Sequence, residues 1–395
     1  MDRPTAPIPP VGGQPESGRR RPRALGTLIT GLILAVAAIA LVVGVLSDAH
    51  GVASKVGRLG VTFHISQAGA LPRPASAAAI QTRVDPGLVN ITVSNAGTGF
   101  RGEATGMVLT SSGVVLTNNH VVQGATSIKA VDVGNGQTYA GSVVGYDRGG
   151  DVAVVQLSGA SGLRTVPIGD SSTVAPGGRV TALGNAGGGG GAPRVAAGSV
   201  TALGQSIVAS DLGGENAERL DGLIQTDAAV LPGDSGGPLV NDAGQVVGMD
   251  AAASSANGTE ALRGRSPQSY AIPIDDALAV VRAIETGPVT AGVHVGPTAF
   301  LGVAVVPSPL LVGPGAPQPT GVTIGQALPG YPAARAGLTR GDVITSVDGR
   351  AVTTPTDLTD LLIAHHPGDT VRIAWTDAAG NTHVATVRLA SGPPA

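Results

Sequence analysis

The sequence predicts a mainly β fold. A barrel or sandwich of roughly two hundred residues is followed by a smaller domain of strands and short helices, and one membrane-spanning helix precedes both. Three observations carry this. Between residues 77 and 285, short Val/Ile/Leu-rich runs alternate with Gly, Asn, Asp and Pro, as in Gly113-Val-Val-Leu-Thr117 and Asp151-Val-Ala-Val-Val-Gln-Leu157. Between 298 and 392, strand-like runs are separated by two short helical patterns. The uncharged apolar run 24–46 is about 23 residues long, enough to cross a bilayer core at 1.5 Å per residue.

Composition narrows the function classes. The chain has 395 residues and a net charge of −3, so no broad basic surface argues for nucleic acid. It contains no cysteine, which excludes disulfides, thiolate catalysis and cysteine-ligated zinc together.

Taken in order, residues 1–23 are rich in Pro, Gly and Arg without apolar periodicity and predict a disordered basic tail. Arg19, Arg20, Arg21 and Arg23 flank the apolar run on its N-terminal side, placing that side in the cytoplasm and the remaining chain beyond the membrane. A cleaved signal peptide with a small-x-small site at Ser47-Asp48-Ala49, releasing a secreted protein, is the rival reading. The run exceeds the roughly 7–15 apolar residues of such peptides, which favours an uncleaved anchor. Residues 47–76 read as a linker. The β-rich block closes on an amphipathic helix at 274–284. Residues 286–297 are rich in Pro and Gly and read as a hinge. In the second domain, strand-like runs fall at 300–306, 321–324, 342–347, 371–375 and 383–389, with helical patterns at 332–336 and 356–362. The Pro/Gly-rich insert 307–319 reads as a loop.

The chemistry centres on Asp227-Ala-Ala-Val-Leu-Pro-Gly233-Asp-Ser235-Gly-Gly-Pro-Leu239. Glycines around Ser235 permit a tight turn in which the N–H groups of Gly233 and Ser235 point into one concavity. A serine hydroxyl also needs a base to take its proton. Of seven histidines, His120 has the most informative setting: within Gly113–Val122 it stands at the end of an apolar strand and enters a turn. Asp151 opens the strand that follows, where its carboxylate can accept the second imidazole N–H and fix the tautomer. Asp147, four residues earlier, is the local competitor.

Thr117-Asn-Asn-His120-Val-Val, Asp151-Val-Ala-Val and Gly233-Asp-Ser235-Gly-Gly-Pro together resemble the three catalytic segments of trypsin-like serine proteases. Gly184-Asn185, Gly198-Ser-Val-Thr-Ala-Leu-Gly204, Ile224-Gln-Thr-Asp-Ala228 and Tyr270-Ala-Ile-Pro273 narrow the resemblance to the HtrA family of bacterial envelope proteases. Phe300-Leu301-Gly302-Val303 and Pro329–Gly349 resemble the PDZ domain such proteases carry. The resemblance implies a double β-barrel protease domain over 77–285 and an α+β PDZ domain over 298–392. It also implies a His120, Asp151, Ser235 triad and an oxyanion hole built from Gly233, Asp234 and Ser235, with no metal or cofactor. Ala229, Val230 and Leu231 would line the primary pocket, and the loop Phe300, Leu301, Gly302, Val303 would capture a peptide's terminal carboxylate. The implied partners are unfolded proteins and C-terminal peptides, and the implied assembly is a homotrimer with Phe63 and Phe100 as the available aromatics. One departure concerns the residue before the nucleophile, usually asparagine in this family and here Asp234, as in trypsin. There the aspartate pairs with a freshly cut N-terminus, and no activation site of that kind is apparent in the sequence.

Competing readings weigh less. Gly-x-Ser-x-Gly is also the nucleophile elbow of α/β-hydrolases, which would need an acid and a histidine after the serine, such as Asp275 and His294, and long upstream helices. The glycine run 187–191 lacks the Gly-Lys-Ser/Thr of a phosphate loop and reads as a surface loop. His365-His366 reads as a solvated helix end. Asn90 and Asn257 match glycosylation acceptors without further support. A different class of function is a PDZ adaptor or holdase with a dead protease domain, and a third is a resting protease awaiting a PDZ-bound peptide. The intact triad argues against the adaptor.

Overall fold

The computed structural model describes residues 65, 69, 76–95, 99–185, 191–209, 218–253, 268–287, 292–306 and 320–395. The tail, the 24–46 run, Phe63, Asn257, most of the 47–76 linker and of the glycine run, and all of the 307–319 insert lie outside these residues. No helix among the described residues is long and apolar enough to cross a membrane.

Helix α1 (Ala77–Val84) starts at Ser76, whose hydroxyl accepts the Ala79 N–H at 3.3 Å, and it turns Ile80 and Val84 onto the core. Then come β1 (Leu88–Asn95), β2 (Phe100–Val108), β3 (Val114–Thr117), the one-turn α2 (Asn119–Val122), β4 (Ser127–Asp132), β5 (Thr138–Asp147) and β6 (Val152–Leu157). The ladder runs β5-β4-β1-β2-β3-β6, and β5 pairs with β6 as well, so the ring closes. Period-two alternation sorts the side chains. Val115, Ala153 and Val155 join one core, and their neighbours Leu116, Val152 and Val154 face another.

A second closed barrel, in the order β10-β11-β12-β9-β8-β7, is built from β7 (Arg179–Gly184), β8 (Arg194–Ala209), β9 (Glu218–Thr226), β10 (Pro238–Asn241), β11 (Val246–Ala253) and β12 (Ser269–Pro273). Helix α3 (Ile274–Thr286) follows at once. Asp275 and Asp276 sit in its first turn, where the helix dipole favours them. It buries Ile274, Ala277, Leu278, Val281 and Ile284, the spacing of one helical stripe. That stripe completes a core shared by the barrels, with Leu88, Met107 and Leu116 from the first and Leu183, Val240 and Met249 from the second. The two barrels are therefore joined by one continuous packed core.

The segment expected to act as a hinge, 286–297, contains β13 (Val293–Val295), which pairs antiparallel with β5 at Asp147, Tyr146 and Gly145. His294 in its centre is buried. The alternating Val-His-Val supplies the period-two pattern that the flanking Pro and Gly obscure.

The second domain comprises β14 (Thr298–Phe300), β15 (Val303–Val305), β16 (Val322–Ala327), α4 (Pro332–Arg335), β17 (Val343–Val347), β18 (Arg350–Ala351), α5 (Pro355–Ile363), β19 (Thr370–Thr376), β20 (Thr382–Arg388) and β21 (Ala390–Gly392). Its main sheet runs β15-β16-β17-β19-β20, and β14 pairs with β21. A capping box between Thr354 and Asp357 starts α5. The run expected as one strand over 300–306 is broken after Phe300, because Gly302 takes φ 82° and packs where a Cβ would collide with Tyr331.

Named contacts join the two domains. Arg148, 6% exposed, pairs with Asp360 of α5 at 2.6 Å. Tyr146 Oη lies 3.1 Å from Thr298 Oγ1, and His294 Nδ1 lies 3.0 Å from the Ile363 carbonyl. Residues 394 and 395 return to α2, where Gly124 N–H donates to Pro394 O at 2.8 Å and Asn119 Nδ2 donates to Ala395 O at 3.1 Å.

Candidate active site

His120 sits on α2, one turn long, directly after β3. Asp151 opens β6 from a turn that forces it to φ 51°, a left-handed conformation costing on the order of 1–2 kcal/mol for a residue other than glycine. The turn is held by the Asp151 N–H donating to Arg148 O at 3.0 Å, and by Asn118 Nδ2 donating to Asp151 O at 3.1 Å. The buried carboxylate then grips His120 twice. Oδ1 accepts the His120 backbone N–H at 2.9 Å and Oδ2 meets Nδ1 at 2.8 Å. An Nδ1–H···Oδ2 bond leaves Nε2 as the basic nitrogen. Asp147, the competitor, closes β5 opposite Val152 and Val293.

The Ser235 turn comes from the second barrel and is clamped by the first. Thr105 of β2 is wholly buried. Its N–H donates to Ser235 O at 2.9 Å, and its hydroxyl donates to Gly233 O and accepts the Asn185 N–H, each at 2.8 Å. Thr117, at the end of the strand leading to His120, donates its hydroxyl to Thr105 O at 2.8 Å. Gly236, at φ 80°, passes so close that a Cβ would collide with Thr105 O and Thr117 Oγ1. Behind the turn, Gly236 N–H donates to Asp250 O at 2.9 Å and Asp250 N–H to Gly237 O at 2.8 Å. The Ser235 turn and the strand leading to His120 are thus linked through two threonines. Thr105 was legible in the sequence only as a strand residue.

Of the three expected oxyanion donors, the Asp234 amide is spent inside the turn, donating to Leu231 O at 3.0 Å. Gly233, at φ 100°, and Ser235 remain as the pair whose N–H groups meet no acceptor among the described residues. Of the expected pocket residues, Val230 packs into the second barrel's core, Ala229 is half-buried, and Leu231 is 44% exposed.

In the second domain, Leu301 O accepts the Ala333 N–H at 2.9 Å and Gly302 O accepts the Leu328 N–H at 2.8 Å. Trans peptide planes point each following N–H the opposite way, so Gly302 and Val303 present two amides on the loop's other side. Phe300 packs edge-to-face on Tyr331 with centroids 5.4 Å apart.

The residues of the rival readings are engaged elsewhere. Asp275 accepts both the N–H and hydroxyl of Ser171, at 2.9 and 2.7 Å. The ring nitrogens of His294 face the carbonyls of Ile363 and Pro297. His366 stacks on His294 at 5.4 Å, and His365 lies 3.6 Å from Asp348. Asn90 is buried and donates to Gly191 O. Among the described residues no cluster could hold a metal ion.

Two antiparallel barrels meeting at a histidine–aspartate pair and a clamped serine turn define the trypsin-like class. The description "Trypsin-like peptidase domain" matches residues 104–249, and "PDZ domain" matches 323–375. The serine protease Do-like HtrA of Lactococcus lactis subsp. cremoris is 32% identical over 309 residues, covering 75% of this chain and 72% of that protein. The serine protease PepD of Mycobacterium tuberculosis is 33% identical over 298 residues, 73% of this chain and 60% of that one. A Do/HhoA-like serine protease of Haemophilus influenzae, described as periplasmic, is 32% identical over 294 residues, 73% of this chain and 58% of that one. The chain belongs to the HtrA family of trypsin-like serine proteases with a C-terminal PDZ domain. It spans about three fifths of the length of several relatives it matches.

Proposed function

We propose that the chain is a serine endopeptidase in which Ser235 attacks a peptide carbonyl, His120 carries the proton, and Asp151 orients the imidazole. The observation that carries this is the double grip of Asp151 on His120, through the backbone N–H and through Nδ1. That grip fixes both ring position and tautomer before substrate arrives. In the first step, Nε2 takes the Ser235 hydroxyl proton as Oγ bonds to the carbonyl carbon. Charge moves to the carbonyl oxygen, which the Gly233 and Ser235 amides receive. The imidazolium then protonates the leaving amine, and water repeats the sequence on the acyl-enzyme.

No carboxylate stands at Ala229, and the expected cut follows small or medium apolar residues such as Val or Ala. Such residues are buried in folded proteins, so the substrates are misfolded or partly unfolded chains. The second domain binds C-terminal peptides through the Gly302 and Val303 amides. The arginine-flanked 24–46 run, together with the description of the Haemophilus relative as periplasmic, supports an anchored protein with both domains outside the cytoplasm.

Ser235→Ala tests the assignment. Turnover of labelled casein should fall by at least about four orders of magnitude, and covalent labelling by a fluorophosphonate should vanish. A Ser235→Ala protein that still cleaves casein would sink the proposal. A labelled wild type also rejects the dead-adaptor reading.

A further inference from the structure

Asp234 puts a carboxylate, 2% exposed, directly beside Ser235. A second carboxyl, that of the fully buried Asp250, lies behind it on β11. Burial, and then the charge of Asp234, push the Asp250 carboxyl well above the usual range, which favours its neutral form. Two buried carboxyls close together make a cation beside Asp234 valuable, since an uncompensated buried charge is strongly destabilising.

Arg194 opens β8, and its Nη1 lies 3.5 Å from Asp234 Oδ2, the same oxygen that accepts the Leu231 N–H at 2.9 Å. Nη1 also donates to Ala229 O at 2.7 Å. Across the strand pair, Arg194 stands opposite Gly184, and a Cβ on Gly184 would collide with Asp234 Cα. The missing side chain on β7 therefore lets the turn settle against the strand from which the guanidinium reaches it. One side chain joins the turn that carries Gly233 and Ser235 to the segment expected to line the primary pocket.

We propose that Arg194 is a positioning residue, a counter-ion with a side chain 38% exposed, that holds the buried Asp234 and through it the Gly233–Ser235 turn in its working shape. The inference rests on the assignment of Ser235 as nucleophile. A cation carried on the neighbouring strand is in place as soon as the chain folds, so no cleavage has to deliver one.

The test compares Arg194→Ala, Arg194→Gln, Arg194→Lys and the double variant Arg194→Ala/Asp234→Asn in the 395-residue chain. kcat and KM on labelled casein are read beside thermal unfolding. Gln keeps a donor for Ala229 O without charge, and Lys keeps the charge. Losing an oxyanion donor outright costs about 10²–10³-fold in kcat, so Ala and Gln should each lower kcat by at least about 30-fold. Lys should exceed Gln by about tenfold, and Asp234→Asn should recover about tenfold in the Ala background, because the neutral side chain needs no cation. Gln equal to Lys, Ala within about threefold of wild type, or a double variant no better than Ala alone would each overturn the counter-ion role. Ser235→Ala run in parallel separates the two claims. If it is active, the nucleophile assignment fails. If it is inactive while Arg194→Ala behaves as wild type, only the counter-ion falls.

Discussion

Thr105→Val isolates the clamp between the barrels, since valine preserves the shape of threonine and removes only the hydroxyl. That hydroxyl makes two bonds of 2.8 Å, to Gly233 O and from Asn185 N–H, at a residue with no exposed surface. Each buried group stripped of its bond costs about 1–3 kcal/mol, so the pair should cost about 3 kcal/mol of stability. In a β domain of this size that lowers Tm by about 6–12 °C. The catalytic effect follows from which carbonyl is released. Gly233 O fixes the peptide next to the amides proposed to receive the oxyanion. If about half of the loss appears in the transition state, kcat falls by roughly 10-fold, and by about 100-fold if all of it does. Casein turnover with kcat and KM resolved, beside thermal unfolding, measures both quantities. Thr105→Ser keeps the hydroxyl and should retain most of kcat while losing about 0.8 kcal/mol for the methyl. A Thr105→Val enzyme with wild-type kcat and Tm would refute the clamp, and so would a Ser variant as impaired as Val.

Two other substitutions probe separate parts of the molecule. Burial pushes the Asp85 carboxyl from 3.8 up to about 6, so the folded state holds its proton more tightly than the unfolded chain. Stability is therefore lost as pH rises from about 4 to about 6, and Asp85→Asn should stabilise above that window by about 1–2 kcal/mol, discounted for partial exposure, with no gain at pH 4. Urea unfolding at the two pH values reads this, and a gain of equal size at both would contradict it. Gly302→Ala forces a methyl onto Tyr331 at a φ of 82°, which should abolish binding of hydrophobic C-terminal peptides at the PDZ loop. Calorimetric titration checks it, with wild-type affinity as the refuting result.

The candidate catalytic segments could be picked out because each is local: His120, Asp151 and Ser235 carry their own flanking strand or glycine signature. The two short helices of the second domain, expected at 332–336 and 356–362 and found at Pro332–Arg335 and Pro355–Ile363, were legible for the same reason. What escaped was long-range. Thr105 serves Gly233 across 128 positions and Asn185 across 80, and nothing around it distinguishes it from any other strand threonine. Arg194 lies 40 positions from Asp234 in the chain and meets it only because β7 and β8 pair with Gly184 opposite. The Asp234 amide was counted as an oxyanion donor from motif position alone, whereas the turn's own geometry directs it to Leu231 O. Proline and glycine at 286–297 marked a hinge, and the Val-His-Val strand inside it needed β5 as a partner to declare itself.

That strand makes the peptidase domain a poor candidate for excision. Severing the chain after α3 would strip β13 from β5 and bare a fresh sheet edge at 145–147. It would also leave Arg148, three residues before Asp151, without the Asp360 carboxylate that pairs with it. Any foreign module grafted in place of the second domain must bring both an edge-covering strand and an acid at that spot. The boundary that sequence composition draws between the two domains is thus not the boundary at which they could be cut.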